Sequence, residues 1–196
     1  MKTILVLLTI LLANYDAYTQ GTLVYDQQAS PGNLASGGAT IQNQQPMGQS
    51  FTPSLSAVGF VQFMFLDSTG NQGATVYINL LSDSITGSVV AATSPVFMPN
   101  GFNGITNFFF PSNVSVQSGV EYFFRPVLLS GDNTGLKADI FNYSLGTAIF
   151  VGQPSNAGVD FWFREGIVVP EPSSFALLGI SALAVFFSRH KPNKLR

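Results

Sequence analysis

The side chains that usually do chemistry are scarce in this 196-residue chain. It has no Cys, and its one His, His190, lies in a basic stretch near the C-terminal end. No Ser-His-Asp or Cys-His arrangement can therefore form in the body of the chain, and no zinc motif is present. Paired carboxylates remain. Asp26, Asp67, Asp83, Glu121, Asp132, Asp139, Asp160 and Glu165 are available, and two acids about 5–10 Å apart would suffice for glycoside hydrolysis. Most of them stand at strand ends or in turns, where Asp is expected as a turn-maker. The chain is accordingly read as non-enzymatic, with a secreted carboxylate hydrolase as the third reading.

Two polar loops, Leu66–Gly73 (LDSTGNQG) and Ser130–Gly135 (SGDNTG), could offer oxygen ligands to Ca²⁺. Neither has the Asp-x-Asp-x-Asp-Gly spacing of a strong site, and turn chemistry alone explains both, so no metal or other cofactor is expected beyond a weak Ca²⁺ option. A sugar-binding face is the other candidate. In extended chain Tyr77 and Asn79 share one face, and Asp160, Trp162 and Arg164 share another. A ring that stacks on a pyranose beside amide and charged hydrogen-bonders is what a carbohydrate module needs. The competing reading packs Trp162 under a loop or on a second sheet.

The elements that must position these residues read as β-structure. Charged residues are 9% of the chain, against roughly 25% in an average soluble protein. Phe (18 residues) and Gly (19 residues) are abundant, a composition that suits strands and tight turns. Period-two segments recur: AVGFVQFMFLD (57–67), ATVYINLLSD (74–83), GVEYFFRPVLL (119–129) and GVDFWFRE (158–165) are the clearest. Turn residues separate them, and no sustained 3.6-residue period appears outside two terminal apolar runs. The expected fold is an antiparallel, jelly-roll-like β-sandwich of about 150 residues. EYFFR and DFWFR share the form acid, three aromatics, Arg; an antiparallel pairing would set Glu121 against Arg164, Asp160 against Arg125 and Phe123 against Trp162. The mildly acidic middle argues against nucleic-acid binding, which needs a basic face.

The two ends carry an address. Residues 1–19 place Lys2 before an apolar run from Ile4 to Ala13, followed by polar residues. That is the form of a secretory signal peptide, with cleavage after Thr19 one option, and it implies the Sec machinery and signal peptidase as partners. At the other end a Pro-Glu-Pro triplet precedes an apolar run, about 173–188, and four basic residues, Arg189, Lys191, Lys194 and Arg196. Sixteen residues of helix reach roughly 24 Å, a short span that snorkelling and local thinning of the bilayer can absorb. The basic tail 189–196 orients that end to the cytoplasm.

The string VPEPSSFALLGISALAVFFSRHK resembles the PEP-CTERM sorting signal of Gram-negative bacteria. Val169, Pro170, Glu171, Pro172 and Ser173 match the triplet region, Ala176–Gly179 the helix, and Arg189 and Lys191 the basic cluster, which is more dilute than usual in the family. The resemblance implies recognition by an exosortase, a membrane-embedded cysteine transpeptidase, with cutting near Pro170–Pro172. Pro170 and Pro172 push the residues before them out of helix and into extended backbone, which keeps the segment open to a protease. The competing reading is a plain membrane anchor. The organisation expected is a signal peptide (1–19), an exported β-sandwich (20–168) and a sorting signal (169–196). Such a protein would be held briefly in the membrane and then displayed at the cell surface or in extracellular matrix as a structural or adhesive component, in contact with extracellular polysaccharide. A surface-displayed carbohydrate-binding module is the alternative. Two sequons, Asn113-Val-Ser115 and Asn142-Tyr-Ser144, are read as chance matches.

Overall fold

Two period-two runs become one strand wherever a turn fails to reverse the chain. In a computed structural model, which describes residues 21–30 and 37–170, the segments read as separate strands around DSTGNQG fuse into β4, Ala57–Ser82, of 26 residues. Those around SGDNTG fuse likewise into β8, Tyr122–Ile140, of 19 residues. The two long strands run antiparallel from Phe65–Leu136 to Ser82–Tyr122. The polar loops face each other as register shifts at Asp67/Thr69 and Thr69/Ala74. Gly73 (φ +73°) and Gly131 (φ +105°) take left-handed backbone there, and a Cβ on Gly131 would stand 2.6 Å from Ala74 Cα. Gly, Asn and Asp thus kink both strands in step, where the sequence reading placed chain reversals.

The bulge has a consequence for the core. From the irregularity at Val58/Phe60 up to the bulge the core-cluster residues of β4 are odd-numbered (Val61, Phe63, Phe65), and beyond it they are even-numbered (Val76, Ile78, Leu80). Alternation has a period of two, so the core face is kept across the bulge only by this change of parity.

Around β4 and β8 lie β1 (Thr22–Ala29), β2 (Gly37–Thr40), β3 (Gly48–Phe51), β5 (Val89–Ala92), β6 (Val96–Met98) and β7 (Asn103–Ser115). The last four are β9 (Ala148–Phe150), β10 (Gln153–Pro154), β11 (Val159–Phe161) and β12 (Phe163–Val169). The expected all-β, antiparallel class is found. The strands form one hydrogen-bonded sheet of 12, with β1-β12-β4-β8-β3-β9-β10 as its main path. β4 pairs with β7 and β12 in its first half, with β8 from Phe65 onward, and with β5 and β6 in its second half. The sheet is curled, so aromatic rings from paired strands and from the unpaired β8 and β12 meet inside it. Phe124 of β8 stacks on Phe51 of β3 with ring centroids 4.1 Å apart, meets Phe63 of β4 edge-on at 6.2 Å, and lies 6.5 Å from Phe163 of β12.

The pairing of EYFFR with DFWFR is overturned. Phe123 pairs with Ser50 and Leu81, and Arg125 with Asn79. Asp160 lies opposite Asp139 at the far end of β8, and Arg164 opposite Gln62 of β4. The long β4 already occupies the neighbouring position beside Phe123, and the DFWFR segment goes to a fork. There β11 runs toward the fork along β8 and β12 runs away from it along β4. Trp162 joins them, its N–H donating to Lys137 O (2.9 Å) and its carbonyl accepting from Met64 N (3.3 Å).

The segment read as a signal peptide (1–19) and the apolar run 173–188 lie outside the described residues, and among those described no helix is long and apolar enough to cross a membrane.

Candidate functional site

The proposed sugar face separates into two places. Tyr77 and Asn79 lie on β4 directly opposite Val127 and Arg125 of β8, on the face turned away from Val76, Ile78 and Leu80. Beside them the edge of β8 has a gap. β2 covers it from Gly135 to Ala138 and β3 from Tyr122 to Phe124. Between these, two glutamine side chains replace backbone partners: Gln42 Nε2 donates to Asp132 O (2.6 Å) and Gln45 Nε2 to Pro126 O (3.1 Å). Ile41, Gln42, Gln45, Arg125, Val127 and Leu128 line an open groove of about 500 Å³ there. Arg125 is held at one end by donating from Nη1 to Ile85 O (3.2 Å). The groove therefore presents amides, a guanidinium and aliphatic surface, with Tyr77 and Asn79 on the adjoining strand.

Asp160, Trp162 and Arg164 sit at the fork instead. Trp162 has no exposed surface, and the Arg164 guanidinium covers its ring at 4.8 Å from the centroid. Arg164 is also 5.8 Å from the Tyr25 ring, and its Nε donates to Ser30 Oγ (2.9 Å). The Trp162 ring is thus filled by a cation from its own strand and is not presented for stacking on a sugar. Asp160 is equally enclosed. Its Oδ1 accepts from Gln49 Nε2 (3.0 Å) and its Oδ2 from Tyr143 N (2.9 Å), while Gln49 Oε1 accepts from Phe161 N (2.8 Å). Burial pushes the Asp160 carboxyl up, against these hydrogen bonds.

A second acid was not singled out from the sequence. Glu165 has no exposed surface, and its Oε1 accepts from Gln27 N (3.1 Å). Burial first, and the charge of Asp26 second, push its carboxyl up to about 9. Asp26 moves the other way. Burial raises it, but the N–H of Leu55 (2.9 Å) and the hydroxyl and N–H of Ser54 outweigh that and hold it below the usual carboxylate range. One proton therefore rests on Glu165 beside an ionised Asp26. Gln27 joins the pair to the phenol of Tyr143, which donates to Gln27 Oε1 at 3.0 Å. Two acids with divergent proton affinity are what acid–base catalysis requires, but Glu165 is sealed inside the sheet, where the same pair fastens β1 to β12. The clue lay in the alternation: Glu165 shares parity with Phe161 and Phe163, the side that faces the core.

Three of the remaining acids accept from backbone N–H groups within or beside the long strands. Asp67 Oδ2 accepts from Gly101 N (2.6 Å), Asp132 Oδ2 from Gln72 N (3.1 Å), and Asp139 Oδ1 from Ile140 N (2.8 Å). The two loops offered for Ca²⁺ are neighbours across β4 and β8, yet among the described residues no group of three or more His, Cys, Asp or Glu side chains is placed to hold a metal.

The end of β12 completes the set. Val168 and Val169 close the last strand, and Val169 (41% exposed) and Pro170 stand open to solvent. Glu171, Pro172, Ser173 and the basic residues Arg189, Lys191, Lys194 and Arg196 lie outside the described residues. In the sequence the last strand is followed by a Pro-rich, apolar and then basic tail. Residues 168–191 match the family model described as the PEP-CTERM protein-sorting motif. No curated protein matches the chain. The motif implies export and exosortase-dependent, membrane-associated sorting toward the cell surface.

Proposed function

We propose that this protein is a non-catalytic β-domain exported from a Gram-negative cell and installed at the surface or in extracellular matrix, with an exosortase as its processing partner. The observation that carries the proposal is the sorting motif at residues 168–191, joined to the end of β12 without a linker. Low charge suits a matrix component, and so does the absence of Cys, since a core of this size does without disulfide staples. Processing near Pro170–Pro172 would leave Gln20 to about Pro170 as the mature domain. Changing Pro170, Glu171 and Pro172 together to alanine is expected to leave the domain folded but keep it with its tail in the membrane fraction. Wild-type protein should leave that fraction. Identical distributions for the two would refute exosortase-dependent sorting.

A second reading is supported by the groove at the edge of β8. Guanidinium, amide and aliphatic groups in an open groove of about 500 Å³, with Tyr77 on the adjoining strand, suit an extracellular polysaccharide. On this reading Tyr77→Ala and Arg125→Gln each lower retention on the host's own polysaccharide roughly tenfold, as loss of a hydrogen-bonded charge or a stacking ring would, with little change in melting temperature. Emission of the single Trp is expected to stay constant on sugar binding, because Trp162 is enclosed at the fork. Retention unchanged in both variants would remove this reading.

A further inference from the structure

On the β4 side of β12, whose other edge pairs with β1, the last bonds are made by a side chain. Backbone pairing with β4 runs from Phe163–Phe63 to Gly166–Phe60. Two residues later, at Val168, the partner is Asn113: Val168 N donates to Asn113 Oδ1 (3.1 Å), and Asn113 Nδ2 donates to Val168 O (3.0 Å). A single amide thus takes up both polar groups of Val168, as a strand backbone would.

Local architecture makes room for this clamp. β7 pairs with β4 at Val114–Val58 and Phe109–Phe60, so Phe110 to Asn113 arch across the single residue Gly59. A Cβ at Gly59 would overlap Asn113 Oδ1 and stand 2.7 Å from Val168 N. Glycine is required there because the Asn113 amide and the Val168 backbone occupy the space a side chain would fill.

Val168 is also the first residue of the sorting motif. Enzymes that cut peptides commonly take them in extended form, by adding the substrate backbone to their own. For a cut near Pro170–Pro172 the residues on the N-terminal side of the bond are those of β12, and only Val169 and Pro170 lie past the clamp.

We propose that Asn113 is a positioning residue for the sorting reaction: its amide ends the folded domain at Val168, and opening of this clamp gates presentation of the motif to the processing enzyme. The inference rests on the exosortase reading above. It adds that the cargo domain itself, through Gly59 and Asn113, sets how fast its tail is removed.

The test uses the full-length chain and two variants. Asn113→Ala removes both bonds. Asn113→Asp keeps the acceptor for Val168 N and loses the donor to Val168 O. Amide hydrogen exchange is followed at Val168, with amides of the β4–β8 ladder as internal reference, and tail loss is followed by pulse-chase in an exosortase-bearing host. Asn113→Ala should speed Val168 exchange about tenfold, equivalent to ~1.4 kcal/mol, with Asn113→Asp between it and wild type and the β4–β8 reference amides unchanged. Tail loss should speed in the same order. A merely structural Asn113 would raise exchange throughout the sheet and leave the order of tail loss unchanged, which would overturn the proposal. So would unchanged exchange at Val168. Retention of the tail by wild-type protein would refute the exosortase reading and the gating role together, while the exchange data would still report whether the clamp exists.

Discussion

Alanine in place of Trp162 is expected to cost about 3–5 kcal/mol of stability, the usual range for emptying a buried aromatic site. Trp162 has no exposed surface and stands where β4 and β8 part, with its backbone bonded to both. Removing the indole leaves a cavity at the fork and takes the ring from beneath Arg164. Phe163 and Phe161 on either side are equally buried, so the site has little freedom to collapse. Urea unfolding would measure the loss. A cost below about 1 kcal/mol, the range of ordinary surface positions, would mean that Trp162 does not seal the fork. Phenylalanine at this position should recover a large part of the difference.

The second large effect is a dependence on pH. Glu165 holds its proton in the folded protein up to about 9, against an ordinary value of 4.5. A group raised on folding contributes stability that is complete below its unfolded value and is lost as pH rises through its folded value. Stability should therefore fall from about pH 4.5 toward pH 9. Asp160, also raised, acts in the same direction. Asp26 acts oppositely, since its depressed carboxyl contributes stability that is lost as pH falls below its ordinary 3.8. The most stable condition is mildly acidic.

Glu165→Gln keeps the shape, lets the side-chain oxygen accept from Gln27 N, and offers Asp26 a permanent donor. It should flatten the alkaline decline and stabilise the protein at neutral pH by about 1–3 kcal/mol. Chemical unfolding at pH 5, 7 and 9 (round values spanning the window) would show this directly. A variant with the same alkaline slope as wild type would remove Glu165 as its source. The Tyr143 phenol, pushed up by burial and joined to the same group through Gln27, remains protonated throughout this range.

Much of this was readable in the chain, for definite reasons. Alternation in AVGFVQFMFLD and ATVYINLLSD gives the inward residues of β4 because period two is a local property. What alternation does not carry is whether a polar loop between two runs turns the chain or only kinks it. DSTGNQG and SGDNTG have the composition of turns, and they become facing bulges because each lies against the other across 60 residues of sequence. Pairing suffers from the same limit. EYFFR and DFWFR look like partners, but which strand stands beside Phe123 depends on the course of β4 over its whole length. The ligand face divides for the same reason, leaving Tyr77 and the buried Asn79 on the strand beside a groove and Trp162 inside. Glu165 could have been found, since it shares parity with two buried phenylalanines. The Asn113–Val168 clamp could not, because nothing in Asn-Val-Ser indicates an amide that completes another strand.

The sorting segment is the opposite case. Its triplet, apolar run and basic cluster act through order and composition, so its meaning survives without tertiary structure. The fold adds the point at which it joins the domain. β12 continues into the motif, so the boundary between cargo and address lies at a strand end, clamped by Asn113 and followed at once by exposed Val169 and Pro170.

The measurement that bears most directly on the central claim is the intact mass and C-terminal peptide map of the mature protein from its native host. A C-terminus at or near Pro170–Pro172, with the basic tail gone, is the expected result of sorting by an exosortase. A chain still ending at Arg196 and recovered with the membrane would contradict it, and would make the tail a plain anchor.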